Sequence, residues 1–153
     1  MKKIYYLLFL LPLSFLMACS DDFTPVDMTL TLNGVTTSGE SFYTVEGEDV
    51  SVENLEVKSI DGKPTAYSNV LFYFNGVPLM GNPENPLAAG FSTEDIPAGT
   101  YTLSITGSLL QEDASLKAFA VNYPLVIVSS QDDLPAGAPE IGSYSQTIRI
   151  SNK

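Results

Sequence analysis

Residues 96–105, IPAGTYTLSI, decide how the rest of the chain is expected to fold. Pro97 fixes its own φ and Gly99 tolerates the backbone conformations of a tight turn, so the segment predicts a sharp corner. The apolar residues that follow alternate with polar ones, as in a half-buried strand; they are Tyr101, Leu103 and Ile105. A tyrosine just after such a turn can fold its hydroxyl back to the backbone upstream. We therefore predict that Tyr101 pins a structural corner and buries its ring in the core, with sugar stacking as the alternative role.

Strand patterns also precede this corner. Apolar residues stand at every second position from 26 to 32 and predict a first strand, which the turn-forming pair Asn33-Gly34 is expected to end. Ser41–Val45 predicts a second, short strand. Between residues 50 and 57 the apolar face changes parity, and one extra residue near Glu53-Asn54 would restore the register. We predict a β-bulge at that point.

Two longer stretches complete the pattern. Asn69–Phe74 is apolar on both parities, which predicts a central strand covered on both faces. Lys117–Val128 predicts one long strand, with Pro124 at an edge or a bulge. No segment longer than a turn has helical periodicity, and the strand patterns recur every 8–12 residues or so, which favours an all-β sandwich.

The segment 69–128 resembles a bacterial immunoglobulin-like domain. The resemblance rests on Tyr73-Phe74-Asn75-Gly76 at the end of one strand, on the IPAGTY corner with Leu103 and Ile105, and on the apolar closing run 125–128. It implies an immunoglobulin-like antiparallel β-sandwich, which we assign to residues 28–128. It implies nothing about a ligand.

Residues 1–18 are expected to form a leader that ends just before Cys19. Lys2 and Lys3 precede an apolar run at residues 4–16, which is about half the length of a bilayer crossing and suits a cleaved secretory signal. Leu16, Ala18 and Cys19 resemble the lipobox of bacterial lipoproteins, although Met17 is bulkier than the residue usual at its position. The resemblance implies that residues 1–18 are removed and that Cys19, the only cysteine, is acylated. Two or more acyl chains anchor a protein stably. An ordinary signal peptide with an incidental cysteine is the alternative.

Residues 19–27 are expected to form a lipidated tether. Within it, Ser20-Asp21-Asp22 resembles the acidic signal that sends Bacteroidetes lipoproteins to the outer face of the outer membrane. A solvated acidic tether without a sorting role is the alternative. The resemblance implies a surface-exposed protein on the outer membrane.

Charge excludes some partners. Removal of residues 1–18 leaves five basic residues against 18 acidic ones, a net charge of −13. A surface that acidic repels nucleic acid and has no basic cluster to bind a phosphate backbone. The chain has no histidine, so Ser-His-Asp catalysis, Cys-His catalysis and histidine-built zinc sites are excluded.

Acidic residues are the remaining candidates for chemistry. Paired carboxylates occur in turns, but glycosidase chemistry needs two of them facing each other across a cleft, so we expect no enzyme activity. Glu46, Glu48 and Asp49 are the candidates for a Ca²⁺ site, but they do not match a spaced calcium loop and are read as turn residues in solvent. No metal and no cofactor are expected.

The C-terminal segment divides into a linker at residues 129–141 and a strand at residues 142–151. Tyr144, Ile148 and Ile150 share one face of that strand, which Gln146 interrupts, and we expect the strand to pair in cis beside an edge strand. The leading hypothesis is a lipid-anchored surface module that binds a glycan or a protein, or acts as a spacer. The alternative is a pilin-like subunit, in which Tyr144–Ser151 is donated to a second copy by β-strand exchange.

Overall fold

The computed structural model describes residues 22–81, 84–85 and 87–152. This part of the chain is all-β, with one 3-10 turn at Gln131–Asp133 and no α-helix. Its strands are β1 (Val26–Ser38), β2 (Ser41–Val45), β3 (Asp49–Ser59), β4 (Thr65–Phe74), β5 (Val77–Pro78), β6 (Gly90–Ser92), β7 (Gly99–Gln111), β8 (Lys117–Val128) and β9 (Gly142–Ile150). The predicted signal peptide, with Cys19, Ser20 and Asp21, lies outside the described residues.

The strands form a curled, mixed sheet in the order β5-β4-β7-β8-β2-β1-β3-β6, and β9 pairs with β1. Strand β1 joins the two halves of the sheet, one formed by β9, β3 and β6 and the other by β2, β8, β7, β4 and β5. Its residues 26–33 pair with β3 and β9, and its residues 36–38 pair with β2. Strand β1 bends over the core at Gly34, and the hairpin that follows the bend places β2 parallel to β8. The expectation of a purely antiparallel fold is therefore wrong at that pair.

Gly34 makes this crossing possible. Its φ is +82°, and a Cβ at this position would stand 2.0 Å from the carbonyl oxygen of Asp49. Only glycine combines a left-handed φ with so close a backbone approach. Asn33-Gly34 therefore bends one continuous strand over the core, and the predicted end of the strand at this pair is wrong.

One hydrophobic core lies inside the curl. The fully buried side chains come from both halves of the sheet; they include Val26, Met28, Leu30 and Leu32 of β1, Leu103, Ile105 and Leu109 of β7, and Tyr123, Leu125 and Ile127 of β8. Tyr123 reaches across this core, and its hydroxyl donates to the carbonyl oxygen of Met28 at 3.1 Å. The two halves are therefore connected by a buried polar contact as well as by packing.

Two bulges reset the side-chain alternation. In β3, Thr31 pairs with Asn54 and Leu32 with Val52, so Glu53 is the extra residue and the predicted bulge is confirmed. In β4, Asn69 and Val70 together oppose Gly107, and the φ of Asn69 is +52°. Beyond this bulge the alternation is regular: Phe72 and Phe74 face the core and Leu71 and Tyr73 face outward, so the segment carries apolar residues on both faces. The strand is not covered on both faces, because Leu71 is 57% exposed.

The domain begins earlier than expected. Phe23 is only 4% exposed, and Val26 is already fully buried in β1. Lys117 places its Nζ 4.9 Å from the centre of the Phe23 ring, and Asn152 Nδ2 donates to the Phe23 carbonyl at 2.9 Å. Residues 23–27 therefore belong to the folded domain rather than to a tether.

Strand β9 pairs with β1 of the same chain along its whole length, as expected for cis docking. Tyr144 and Ile148 are half-buried and Ile150 is buried, whereas Ser143, Ser145, Thr147 and Arg149 face solvent. Gln146 does not disrupt the inner face, because its Nε2 donates to the Gly39 carbonyl at 3.0 Å.

Candidate functional site

The predicted corner at Tyr101 lies where β7 begins. The Tyr101 hydroxyl donates to the carbonyl oxygen of Pro97 at 2.7 Å, four residues upstream. Its ring centre lies 5.2 Å from that of Phe74, which in turn lies 4.3 Å from the ring centre of Phe91. Tyr101 is half-buried rather than enclosed in the core, because its position on β7 is beyond the last fully buried residue, Leu103. These contacts hold the turn in place.

A second corner of the same kind begins β9. The Tyr144 hydroxyl donates to the Glu140 carbonyl at 2.8 Å, again four residues upstream. Each tyrosine stands two residues after a glycine. A Cβ on Gly99 would lie 3.5 Å from the Tyr101 ring, and a Cβ on Gly142 would lie 3.7 Å from the Tyr144 ring. The sequence reasoning missed this corner, although Gly-Ser-Tyr at 142–144 repeats Gly-Thr-Tyr at 99–101 and could have revealed it.

The outer face of β4, β7 and β8 carries no charged side chain, and we call it the neutral face. Register places its residues in rows across the three strands: Tyr73–Ser104–Asn122, Leu71–Thr106–Ala120 and Ser68–Ser108–Ala118, with Ala66–Leu110 and Thr102–Pro124 at the ends. All of them are half-buried or exposed. In a chain with a formal net charge of −11, an uncharged surface of this extent is a candidate binding surface.

The opposite outer face differs in chemistry. Arg149 of β9 forms a two-pronged ion pair with Asp27 of β1, with N–O distances of 2.8 and 2.9 Å. Hydrogen bonding to Arg149 lowers the pKa of the Asp27 carboxyl. Lys58 and Glu56 form a second ion pair at 2.8 Å. That face carries charged side chains, and it meets the neutral face where Arg149 and Glu40 line one cavity with Asn122 and Pro124.

The neutral face offers hydroxyl and apolar groups side by side. A column of hydroxyls follows β7 through Thr102, Ser104, Thr106 and Ser108, and the Ser104 hydroxyl donates to Asn122 Oδ1 at 2.8 Å. Leu71 and Leu110 are 57% and 48% exposed beside this column. Such a surface can hydrogen-bond an uncharged ligand without desolvating a charge, which is the costly step in burying an acidic surface.

The chain enters β1 at one end of the domain, which we call the tether end. Asp22 is the only residue of the predicted sorting signal within the described part; it is exposed, and its carbonyl oxygen accepts a hydrogen bond from Lys63 Nζ at 3.2 Å. Thr24 Oγ1 donates to Asp61 Oδ2 at 3.0 Å. The Ser59 hydroxyl also bonds Asp61, and these hydrogen bonds lower the pKa of the Asp61 carboxyl. The tether end is therefore joined to the β3–β4 turn by several contacts.

The calcium candidates lie at the opposite, far end. Glu46 Oε1 accepts the backbone N–H of Ala98 at 2.6 Å, so this carboxylate stabilises the corner before β7. The Glu48 backbone carbonyl accepts both the hydroxyl and the N–H of Thr93. Within the described ranges, no three His, Cys, Asp or Glu side chains are grouped so that they could hold a metal ion.

Among the residues that the structure describes, no helix is long and apolar enough to span a bilayer.

No protein-family model matches the chain, and no curated protein is significantly similar to it.

Proposed function

We propose that this protein is a lipid-anchored, non-catalytic surface module that binds an uncharged partner through its neutral face. The neutral face is the observation that favours binding over a mere spacer role. A spacer gains nothing from an uncharged face of hydroxyls with two exposed leucines, whereas a binding surface does. An immunoglobulin-like sandwich is our proposal for the fold family, supported by the curled all-β architecture and by the tyrosine corners.

Acylation of Cys19 and surface exposure on the outer membrane are part of the proposal. They are supported by the lipobox-like residues Leu16, Ala18 and Cys19 and by the following Ser20-Asp21-Asp22. Protease treatment of intact cells tests the location. A surface-exposed protein should be degraded in intact cells, whereas a protein on the inner leaflet should survive until the cells are lysed.

A matched pair of lysine substitutions tests the neutral face. Ala120→Lys places a charge in the middle of this face, and Asn54→Lys places the same charge on the opposite outer face. In native gels that contain dextran, starch or mannan, a glycan-binding protein is retarded. Ala120→Lys should abolish any retardation of the wild type, and Asn54→Lys should keep it. Equal retardation of both variants would contradict the assignment of the face.

A pilin-like subunit remains the second candidate function. Strand exchange would require Tyr144–Ser151 to leave β1, where Thr147 and Ser145 hydroxyls bond Thr29 and Thr31 at 2.8 Å each. Size-exclusion chromatography of the protein without its lipid distinguishes the two. A ladder of oligomers would favour the pilin-like subunit, and a monomer would favour the binding module.

A further inference from the structure

We infer that the tether end of the domain rests directly on the lipid headgroups, with Ile60 and Leu116 in contact with the bilayer interface. This inference rests on the proposed acylation of Cys19. It adds a second interaction surface, distinct from the neutral face, and a fixed orientation of the domain on the membrane.

The first argument is the reach of the chain. Phe23 is buried and held by Lys117 and Asn152, so the folded domain begins four residues after Cys19. Four extended residues span at most about 14 Å. The polar headgroup layer on one side of a bilayer takes up roughly 6 Å of that distance. The remaining tether is shorter than the radius of the domain, which is about 18 Å for a domain of this size. The anchored domain must therefore lie close to the membrane surface.

The second argument is the chemistry of the tether end. Ile60 is 53% exposed, and its N–H donates to the carbonyl of Pro25 at 3.1 Å, so it lies directly beside the point where the chain enters β1. Leu116 is 60% exposed and precedes Lys117, which covers the Phe23 ring. Two exposed apolar side chains thus flank the point where the chain enters β1, where a bilayer interface would cover them.

The third argument is the distribution of charge along the domain. All four basic residues of the described part lie at the tether end: Lys58, Lys63, Lys117 and Arg149. The far end carries eight carboxylates and, among described residues, no basic side chain; the carboxylates are Glu46, Glu48, Asp49, Glu94, Asp95, Asp132, Asp133 and Glu140. Anionic headgroups repel the far end more strongly, so the charge asymmetry orients the domain with its basic residues toward the lipid.

The tether end is not a net positive surface. Asp27 and Glu56 are paired with Arg149 and Lys58, but Asp22, Asp61, Glu112 and Asp113 lie at the same end. Contact with lipid therefore depends on the apolar side chains and on the short tether. The uneven distribution of charge affects only the orientation of the domain.

Depth measurements on the acylated protein test this inference. Because Cys19 is the only cysteine and acylation blocks its thiol, a second cysteine can be labelled selectively. Ile60→Cys and Leu116→Cys place an environment-sensitive fluorophore at the tether end. Val77→Cys is the matched control, because Val77 is 64% exposed but pairs with Phe74 opposite Leu103. Along β7, Leu103 is eight residues, or about 26 Å, away from Gln111, which lies at the tether end.

The labelled proteins are reconstituted into vesicles of phosphatidylethanolamine and phosphatidylglycerol at 3:1. Nitroxide carried on the lipid headgroup should quench the labels at positions 60 and 116 several-fold more than the label at 77. Equal quenching at all three positions, with the protein still sedimenting with the vesicles, would overturn the orientation alone. A protein that lacks acyl chains by mass spectrometry and does not sediment would overturn the anchor, and the inference with it.

Discussion

Replacing Tyr123 with phenylalanine removes one oxygen atom from the middle of the core. Tyr123 is 1% exposed, and its hydroxyl is the buried donor that joins β8 to the Met28 carbonyl of β1. Loss of a buried hydrogen bond costs about 1–2 kcal/mol, because the remaining carbonyl loses a partner and gains no water. For a domain of this size, that loss lowers the melting temperature by about 3–6 °C.

Urea unfolding followed by circular dichroism measures this loss, with Tyr101→Phe as the matched control. The Tyr101 hydroxyl also donates to a backbone carbonyl, but this contact is exposed, so its removal should cost roughly 0.5–1 kcal/mol. If Tyr123→Phe unfolds at the wild-type urea concentration, or loses no more stability than Tyr101→Phe, the buried contact does not connect the two halves of the sheet.

The same residue gives a pH dependence. Burial raises the pKa of the Tyr123 phenol, whereas in the unfolded chain a tyrosine ionises near its ordinary value of about 10. The stability that this group contributes is therefore fully present below about pH 10 and is lost as the pH rises above it. Tyr123→Phe should flatten the loss of stability between roughly pH 10 and 12. Parallel curves for the wild type and the variant would contradict the assignment.

Two further changes test other parts of the fold. Gly34→Ala places a methyl group against the Asp49 carbonyl at a left-handed φ, so it should lower the stability by at least about 2–3 kcal/mol. The control Gly39→Ala is also at a left-handed φ but in open space, so it should lower the stability less. Equal melting temperatures of the two variants would show that β1 does not cross the core at Gly34. Deletion of residues 144–153 removes β9 and exposes β1 as an edge, so the truncated protein should melt lower and aggregate more, as seen by calorimetry and light scattering. An unchanged melting temperature would mean that β9 contributes nothing in cis and would strengthen the pilin-like alternative.

Local patterns in the sequence were sufficient for several parts of this fold. The alternation in β1, the single long strand β8 and the extra residue in β3 are visible in the sequence because each depends on neighbouring positions. The position of the corner at Tyr101 was predicted for the same reason, since glycine, proline and tyrosine stand within five residues of one another.

Other parts depend on contacts between distant residues. Asn33-Gly34 has the local signature of a hairpin turn, and only the approach of Asp49 shows that it bends a continuous strand. The parallel pairing of β2 with β8 joins segments about 80 residues apart, which no local pattern encodes. The burial of Phe23 likewise depends on Lys117 and Asn152.

The neutral face was missed for the same reason. Each of its strands alternates in the ordinary way, and uncharged outward residues in one strand mean little. The surface becomes evident only when register aligns Leu71, Thr106 and Ala120 in one row. Charge counted over the whole chain hides it, because the carboxylates are concentrated elsewhere.

The mass of the N-terminal peptide of the mature protein tests the anchoring of this module most directly. We predict a peptide that begins at Cys19 and carries a diacylglycerol thioether together with an amide-linked acyl chain. Cys19→Ser should instead accumulate as an unprocessed, unacylated precursor. A wild-type protein whose Cys19 is an unmodified thiol, or whose N-terminus lies at another residue, would contradict the account.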